Sequence, residues 1–120
     1  AFGPAPTPPH APGAWPWRRT RPGDRLVDDP RSRHYNTWQR ARPGADWRAA
    51  EDLHRYRLGL VVRHNMDPVV AGAGSAIFVH VARSLGSPTV GCTVMERERL
   101  VQLLRWLDPA ARPVLVQVAR

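Results

Sequence analysis

The apolar residues in the second half of the chain fall into four short segments, and each of them predicts one element. The segments LGLVV (58–62) and AIFVHV (76–81) are rich in β-branched residues and predict strands, the second buried on both faces. Leucines at positions 100, 103, 104 and 107 repeat with the helical period, which predicts an amphipathic helix from about Glu96 to Leu107. The segment PVLVQV (113–118) predicts a final strand.

The first half of the chain has no such period. Residues 1–45 are rich in proline and arginine, with turn signals at RPGD and DDPRS. The tryptophans at positions 15, 17 and 38 predict an irregular loop that packs through its rings, because disordered segments are poor in aromatics. The segment GADWRAAEDLHRY (44–56) predicts one or two helical turns with Asp46 as N-cap. The expected fold class is mainly β (α+β), with one domain over 1–120, an irregular region over 1–45 and a core over 46–120.

Composition narrows the classes of protein that fit. A chain of 120 residues is one domain or part of one, and a single cysteine excludes an internal disulfide. No apolar run approaches the length of a membrane span, and no signal peptide is visible. The net charge is +8, but all 18 basic residues are arginines scattered over nearly every segment. A scattered charge favours a solvated surface over a nucleic-acid footprint, and it suits an anionic polymer such as the cell wall equally well.

The segment HVARSLGSPTVGCTVM (80–95) contains the candidate chemistry. Cys92 follows a connection that leaves the His80 strand, and Gly91 gives that connection freedom for a sharp turn. We expect the pKa of the thiol to be lowered by the nearby helix N-terminus or by an imidazolium. Backbone amides of the turn could then stabilise an oxyanion. The alternative is that both residues are core filler, because free cysteine usually behaves as a small hydrophobe.

The same segment resembles a known family. GSAIFVHV followed by SPTVGCTVM is similar to the active-site region of the L,D-transpeptidase catalytic domain, the YkuD or ErfK/YbiS/YcfS/YnhG family. The family motif is a His, a variable stretch, then Ser/Thr, one residue, Gly and Cys. Here His80, Thr89, Gly91 and Cys92 match it. The flanking segments VDDPRSRHYNTW, RHNMDPVVAGAGSAIFVH and LLRWLDPAARPVLV extend the resemblance from about residue 20 to the C-terminus.

The resemblance implies a YkuD-like β-sandwich that acts on peptidoglycan stem peptides in the periplasm or cell envelope. Cys92 would be the nucleophile and His80 the base, with the Val81 carbonyl orienting the imidazole. The amides of Gly91 and Cys92 would line the oxyanion hole, and Thr89 would belong to the substrate-binding part of the motif. No metal or cofactor is implied, nor any nucleic-acid partner.

Residues outside the motif are weaker candidates. His64 and Asn65 end the first predicted strand near the expected cleft and are candidates for substrate contact, with a surface turn as the alternative. Tyr35 and the neighbouring His34 could line the site, although packing of the loop explains them as well. Asp28 lies in a turn signal, and the alternative role for its carboxylate is recognition of an amine on the substrate.

The chain departs from the family pattern in three places. Val90 stands where many members have a second histidine, and TVM follows the cysteine in place of a polar Arg or Asn. The upstream strands with a DGRTPxG-type segment are absent from these residues, so the N-terminal strands are expected to be missing. Two other functions therefore stay open: an inactive or non-catalytic cell-wall-binding fragment of the family, and a nucleic-acid binder that rests on charge alone.

Overall fold

The computed structural model describes residues 1–10, 15–84 and 86–118, and it shows a mainly β chain with two sheets and one α-helix. The helix, α1, spans Arg97–Trp106. The strands of the described residues are β1 (Phe2–Gly3), β2 (Arg18–Arg19), β3 (Asp24–Val27), β4 (Trp38–Arg40), β5 (Ala50–Asp52), β6 (Gly59–Val61), β7 (Phe78–Val81) and β8 (Thr93–Met95).

The larger sheet has the order β2-β1-β6-β7-β8, and the smaller one has the order β4-β3-β5. The two strands predicted at 58–62 and 76–81 are confirmed as β6 and β7, which pair antiparallel with Gly59 opposite His80. β8 then pairs parallel to β7, with His80 opposite Val94. The smaller sheet is antiparallel throughout.

The predicted helix is also confirmed, with Glu96 at its N-cap and Leu107 at its C-cap. Its apolar stripe packs on the larger sheet, where Leu100 and Leu104 are fully buried beside Val79. A helix of this length is too short to be stable alone in water. Burial of a leucine side chain contributes roughly 1.5–3 kcal/mol, so packing of this face on the sheet is sufficient to stabilise the helix. Among the described residues, no helix has the length and apolar character needed to cross a bilayer.

A second core cluster joins the two sheets through Phe2. The Phe2 ring meets Trp38 of the smaller sheet edge-on at 5.6 Å between centroids, and it meets Phe78 of the larger sheet at 5.2 Å. Tyr56 completes the cluster at 6.1 Å. The backbone of Gly59 lies against the same ring, and a Cβ at Gly59 would overlap with it. One phenylalanine on β1 therefore contacts side chains from both sheets.

The prediction of an irregular region over 1–45 is wrong, because that stretch contains β1, β2, β3 and β4. These strands are two to four residues long, so they are too short to show a period. Charges also interrupt the apolar pattern of β3. Asp24 is buried and pairs with Arg40 at 3.0 Å, while Arg25 pairs with Asp52 at 3.0 Å. Cross-strand pairing lets charged residues occupy this strand.

The helical turns predicted at 44–56 are also misplaced. Ala50–Asp52 forms β5 on the edge of β3, and a single 3₁₀ turn follows at Leu53–Arg55. Asp52, not Asp46, is the N-cap, since its carboxylate accepts the His54 N–H at 3.1 Å. Pairing with β3 satisfies the backbone hydrogen bonds of this segment. The local helix propensity does not indicate this pairing, because it depends on a distant strand.

The final strand predicted at 113–118 is wrong as well. This segment has no place in either sheet, and Val114, Val116 and Val118 are 85%, 77% and 86% exposed. The Gln117 side chain reaches Thr93 Oγ1 of β8 at 2.5 Å, so the segment passes near the sheet edge. An apolar segment becomes a strand only when its backbone forms hydrogen bonds with a neighbouring strand. This segment forms no such pairing within the described chain.

Candidate active site

The pairing of β7 with β8 places the two candidate catalytic side chains on one face of the larger sheet. His80 lies opposite Val94, and Cys92 precedes Val94 by two residues. Side chains two residues apart along an extended chain point to the same face. β8, between Cys92 and the helix, was not predicted from the sequence. In the structure this short strand fixes the position of Cys92 relative to His80.

Cys92 and His80 both line one cavity of about 570 Å³. Thr89 and Val90 from the motif contribute to the same wall. The cavity also contains ionisable side chains that the motif does not include. These are Asp28, Tyr35, Glu51, Arg55, Tyr56 and Arg83.

The imidazole of His80 is held by its own strand. Its Nδ1 lies 3.0 Å from the Val81 carbonyl oxygen. Because a carbonyl can only accept, Nδ1 carries the proton, and the lone pair of the neutral ring is on Nε2. The edge of the ring also packs against Tyr56, with 4.8 Å between centroids. Nε2 is therefore available as a base, and the Val81 carbonyl lies where an orienting group is needed.

The thiol of Cys92 is half-buried and differs from the expectation. Burial raises its pKa above the ordinary value; a backbone contact with Phe78 opposes the shift, and the Glu51 carboxylate adds to it. The predicted lowering of the pKa is therefore wrong. Helix α1 begins only at Arg97, beyond β8, so its N-terminus is too far along the chain to stabilise a thiolate. The neutral thiol points to the Ala76 carbonyl, 3.5 Å from Sγ.

The Thr-x-Gly-Cys spacing has a structural reason in the turn before β8. Thr89 Oγ1 donates to the Cys92 carbonyl at 2.5 Å and accepts the Gly91 N–H at 3.4 Å. Gly91 has φ +136°, and a Cβ there would lie 3.2 Å from Ile77 Cδ1. The position therefore favours glycine on both conformation and space. The Gly91 amide makes only a long contact with Thr89 in this turn, and its oxyanion-hole role stays a prediction.

His64 and Asn65 stabilise the loop between β6 and β7 and lie outside the residues that line the cavity. His64 Nε2 lies 2.9 Å from the Ala73 carbonyl, and Asn65 Nδ2 donates to the carbonyls of Val70 and Gly74 at 2.8 and 2.9 Å. The loop itself supplies Gly74 to the cavity wall. Their observed role is to position this wall, while direct contact with substrate remains a prediction.

Asn36 is one of the residues that link this loop to the rest of the fold, and it was not predicted from the sequence. Its side chain is buried and donates to the carbonyls of His64 and Asn65 at 3.1 and 2.7 Å. Its Oδ1 accepts the Ala76 N–H at 3.1 Å. A polar residue in a turn-rich stretch carries no local signal for contacts 28 to 40 positions away.

Tyr56 and Glu51 are the other residues that sequence analysis missed. The Tyr56 hydroxyl donates to the Glu51 carboxylate. Burial is the largest cause of the strongly raised pKa of the phenol, and this carboxylate is the second. The pair lies beside the His80 ring and brings a negative charge to the cavity. Cys92 and His80 therefore share their cavity with an anchored carboxylate. Within the described chain, no group of three or more His, Cys, Asp or Glu side chains could hold a metal ion.

Comparisons with protein-family models, with curated proteins and with solved structures found no match. The case for a function therefore rests on the motif in the chain and on the geometry of the cavity.

Proposed function

We propose that this protein is a cysteine acyltransferase of the L,D-transpeptidase type, with a YkuD-like β-sandwich, that acts on peptidoglycan stem peptides in the periplasm or cell envelope. The observation that carries the proposal is the shared cavity of Cys92 and His80, in which the Val81 carbonyl leaves Nε2 of the imidazole as the basic nitrogen. A thiol, a positioned base and a cleft are the parts that acyl transfer through a thioester needs.

The reaction begins with a neutral thiol, because burial raises the pKa of Cys92. His80 Nε2 takes the thiol proton as sulfur attacks the carbonyl carbon at the L-centre of a stem tetrapeptide. The C–N bond to the terminal D-alanine then breaks, and the imidazolium returns the proton to the departing amine. An amine of a neighbouring stem, or water, then attacks the thioester carbonyl, and the C–S bond breaks. His80 takes the proton of this nucleophile and returns it to the Cys92 sulfur, which leaves a 3→3 cross-link or a free carboxylate. Each proton transfer is general acid–base catalysis by one residue.

Acylation by a carbapenem tests this proposal, because the strained lactam carbonyl is an analogue of the scissile amide. Intact-mass spectrometry follows the covalent adduct over time. We expect one adduct on the wild-type protein, almost none on Cys92→Ser, and acylation slower by about two to four powers of ten on His80→Ala, the usual size of general-base catalysis. His54→Gln is the matched control, since His54 contacts Thr20 and is not among the cavity-lining residues.

Two outcomes would contradict the proposal. An adduct that forms on Cys92→Ser as fast as on the wild type would remove Cys92 from the chemistry. Equal acylation rates for His80→Ala and His54→Gln would show that His80 is not the base.

The raised pKa of the Cys92 thiol, caused first by burial, favours a second candidate, a non-catalytic cell-wall-binding member of the same family. Such a protein would sediment with purified peptidoglycan and leave Cys92 unmodified by the carbapenem. Binding and acylation measured on one preparation separate the two functions.

A further inference from the structure

A second cleft, of about 460 Å³, combines residues of both sheets. Arg18 and Arg19 come from β2, and Arg40 comes from β4. Arg21 lies between β2 and β3 and lines the same space. We call this space the arginine cleft, after Arg18, Arg19, Arg21 and Arg40. None of these residues belongs to the cavity that contains Cys92.

The positive charge of the arginine cleft is mostly uncompensated by the side chains that line it. Its single carboxylate, Asp24, is buried and already bound, accepting the Arg21 backbone N–H at 2.8 Å and pairing with Arg40 at 3.0 Å. Arg18 and Arg19 are exposed and have no lining carboxylate left to pair with. Guanidinium groups bind phosphate and carboxylate through two parallel hydrogen bonds, so the cleft suits an oxyanion.

One of the two tryptophans of the cleft, Trp38, positions an arginine. The Arg18 guanidinium lies 4.0 Å from the centroid of the Trp38 ring, a cation–π contact that covers one face of that ring. Trp17 is fixed by its indole N–H, which donates to the Ala5 carbonyl at 3.2 Å. Proteins that bind single-stranded nucleic acid use open aromatic faces for base stacking. Since Arg18 occupies this face of Trp38, the geometry favours recognition of charge over stacking of a base.

We propose that the arginine cleft binds an anionic polymer without nucleobases through its phosphate or carboxylate groups. Residues from both sheets form the cleft, so its arginines are held near one another before any ligand arrives. The site is independent of Cys92 and does not require acyl transfer. The buried Phe2 ring contacts both Trp38, which lines the cleft, and Tyr56, which lines the Cys92 cavity.

Titration calorimetry at low salt tests this site, with poly(glycerol phosphate) as the phosphate probe, polygalacturonate as the carboxylate probe and dextran as the neutral polymer. The variant Arg19→Gln/Arg21→Gln removes two exposed cleft charges. The control Arg97→Gln/Arg99→Gln removes two exposed charges from α1. We expect the cleft variant to lose about tenfold in affinity for an acidic polymer and the control to lose no more than about twofold, because scattered surface charges contribute weakly.

The better of the two acidic probes identifies the oxyanion as phosphate or carboxylate, and either one supports the proposal. Three outcomes would overturn it: equal losses in the cleft and control variants, binding of neither acidic polymer, or tighter binding of a single-stranded DNA oligomer of equal charge. Thermal melting followed by circular dichroism checks that the variants are folded. Arg21→Gln alone, with an expected loss of a few-fold, replaces the double variant if that one melts early.

Discussion

At the scale of single residues, the environment of Cys92 determines when its thiol ionises. A buried thiol near a carboxylate stays protonated at a pH where an exposed thiol is already partly ionised, because both burial and the negative charge of Glu51 disfavour the thiolate. Under the proposed function, attack by Cys92 would therefore require proton transfer to His80, because no preformed thiolate is favoured at rest. This dependence sets a pH profile that can be measured.

Alkylation of Cys92 by iodoacetamide should continue to accelerate as the pH rises beyond about 8.5, the pKa of an ordinary thiol. Burial is the main cause of the raised pKa and remains in Glu51→Gln, which removes only the smaller contribution of the charge, so its profile should shift slightly to lower pH. Glu98→Gln on α1 should leave the profile unchanged. The measurement is the second-order rate between pH 6 and 10 by mass spectrometry. A plateau below pH 8 in the wild-type protein would show that the thiol is activated at rest.

At the scale of elements, Asp46 connects two loop segments of the smaller sheet region. Its carboxylate accepts from Ser32 Oγ at 2.8 Å and from the Arg33 N–H at 3.1 Å, and it lies 3.0 Å from His34 Nδ1. These bonds, that of His34 first, lower the pKa of Asp46 from 3.8 to about 2. The folded state therefore binds the Asp46 proton more weakly than the unfolded state does.

Because the folded pKa is lowered, the stability that Asp46 provides should be fully present above about pH 4 and lost as the pH falls towards 2. Asp46→Asn should lower the melting temperature at pH 7 and reduce the difference in melting temperature between pH 5 and pH 2. Asp67→Asn is a suitable comparison, since its carboxylate is 85% exposed and its ion pair with Arg63 is long, at 3.8 Å. Identical acid profiles for both variants would contradict this role of Asp46.

Elements with long apolar runs were predictable from the sequence, and short or charged ones were not. Helix α1, β6 and β7 each bury a continuous apolar face, so the periodic pattern was sufficient to locate them. β1 and β2 have two residues each, and they exist through pairing with distant parts of the chain. The segment 113–118 is the opposite case, because it is apolar but pairs with no strand of the described chain.

The residues of the candidate site also differ in whether a local sequence pattern predicts them. Cys92, His80 and the turn at Gly91 were found because the motif is local, within about a dozen positions. Asn36, Glu51 and Tyr56 reach the site from other elements, so their role depends on tertiary contacts that no spacing encodes. The pKa of the thiol was predicted in the wrong direction for the same reason, because burial and the Glu51 charge are tertiary properties.

At the scale of the whole molecule, the Phe2 ring joins the two sheets through its contact with Trp38, and Gly59 leaves the space that this ring occupies. Gly59→Ala would place a methyl group inside the Phe2 ring and force it out of contact with Trp38 and Tyr56. Overpacking of a tight core costs about 1–3 kcal/mol, and Phe2→Leu should also destabilise by an amount of this order. The check is urea denaturation of both single variants and of the double variant.

The double variant Phe2→Leu/Gly59→Ala should be more stable than the sum of the two single effects predicts, since the smaller side chain leaves room for the methyl group. Gly44→Ala serves as the reference, because a Cβ there meets no atom within 4 Å, although its positive φ of +72° has a cost of its own. Strict additivity of the Phe2 and Gly59 effects would show that the two residues do not share one packing site.

The position of β1 has a consequence for the order of events during synthesis. In the sheet, β1 lies between β2 and β6, so Phe2 pairs with Gly59 across more than fifty positions of chain. At a translation rate of about 5–20 residues per second, Phe2 waits several seconds before Gly59 is even made. During that interval the nascent chain exposes an unpaired strand and a large aromatic side chain. Closure of the larger sheet is therefore a late step of high contact order.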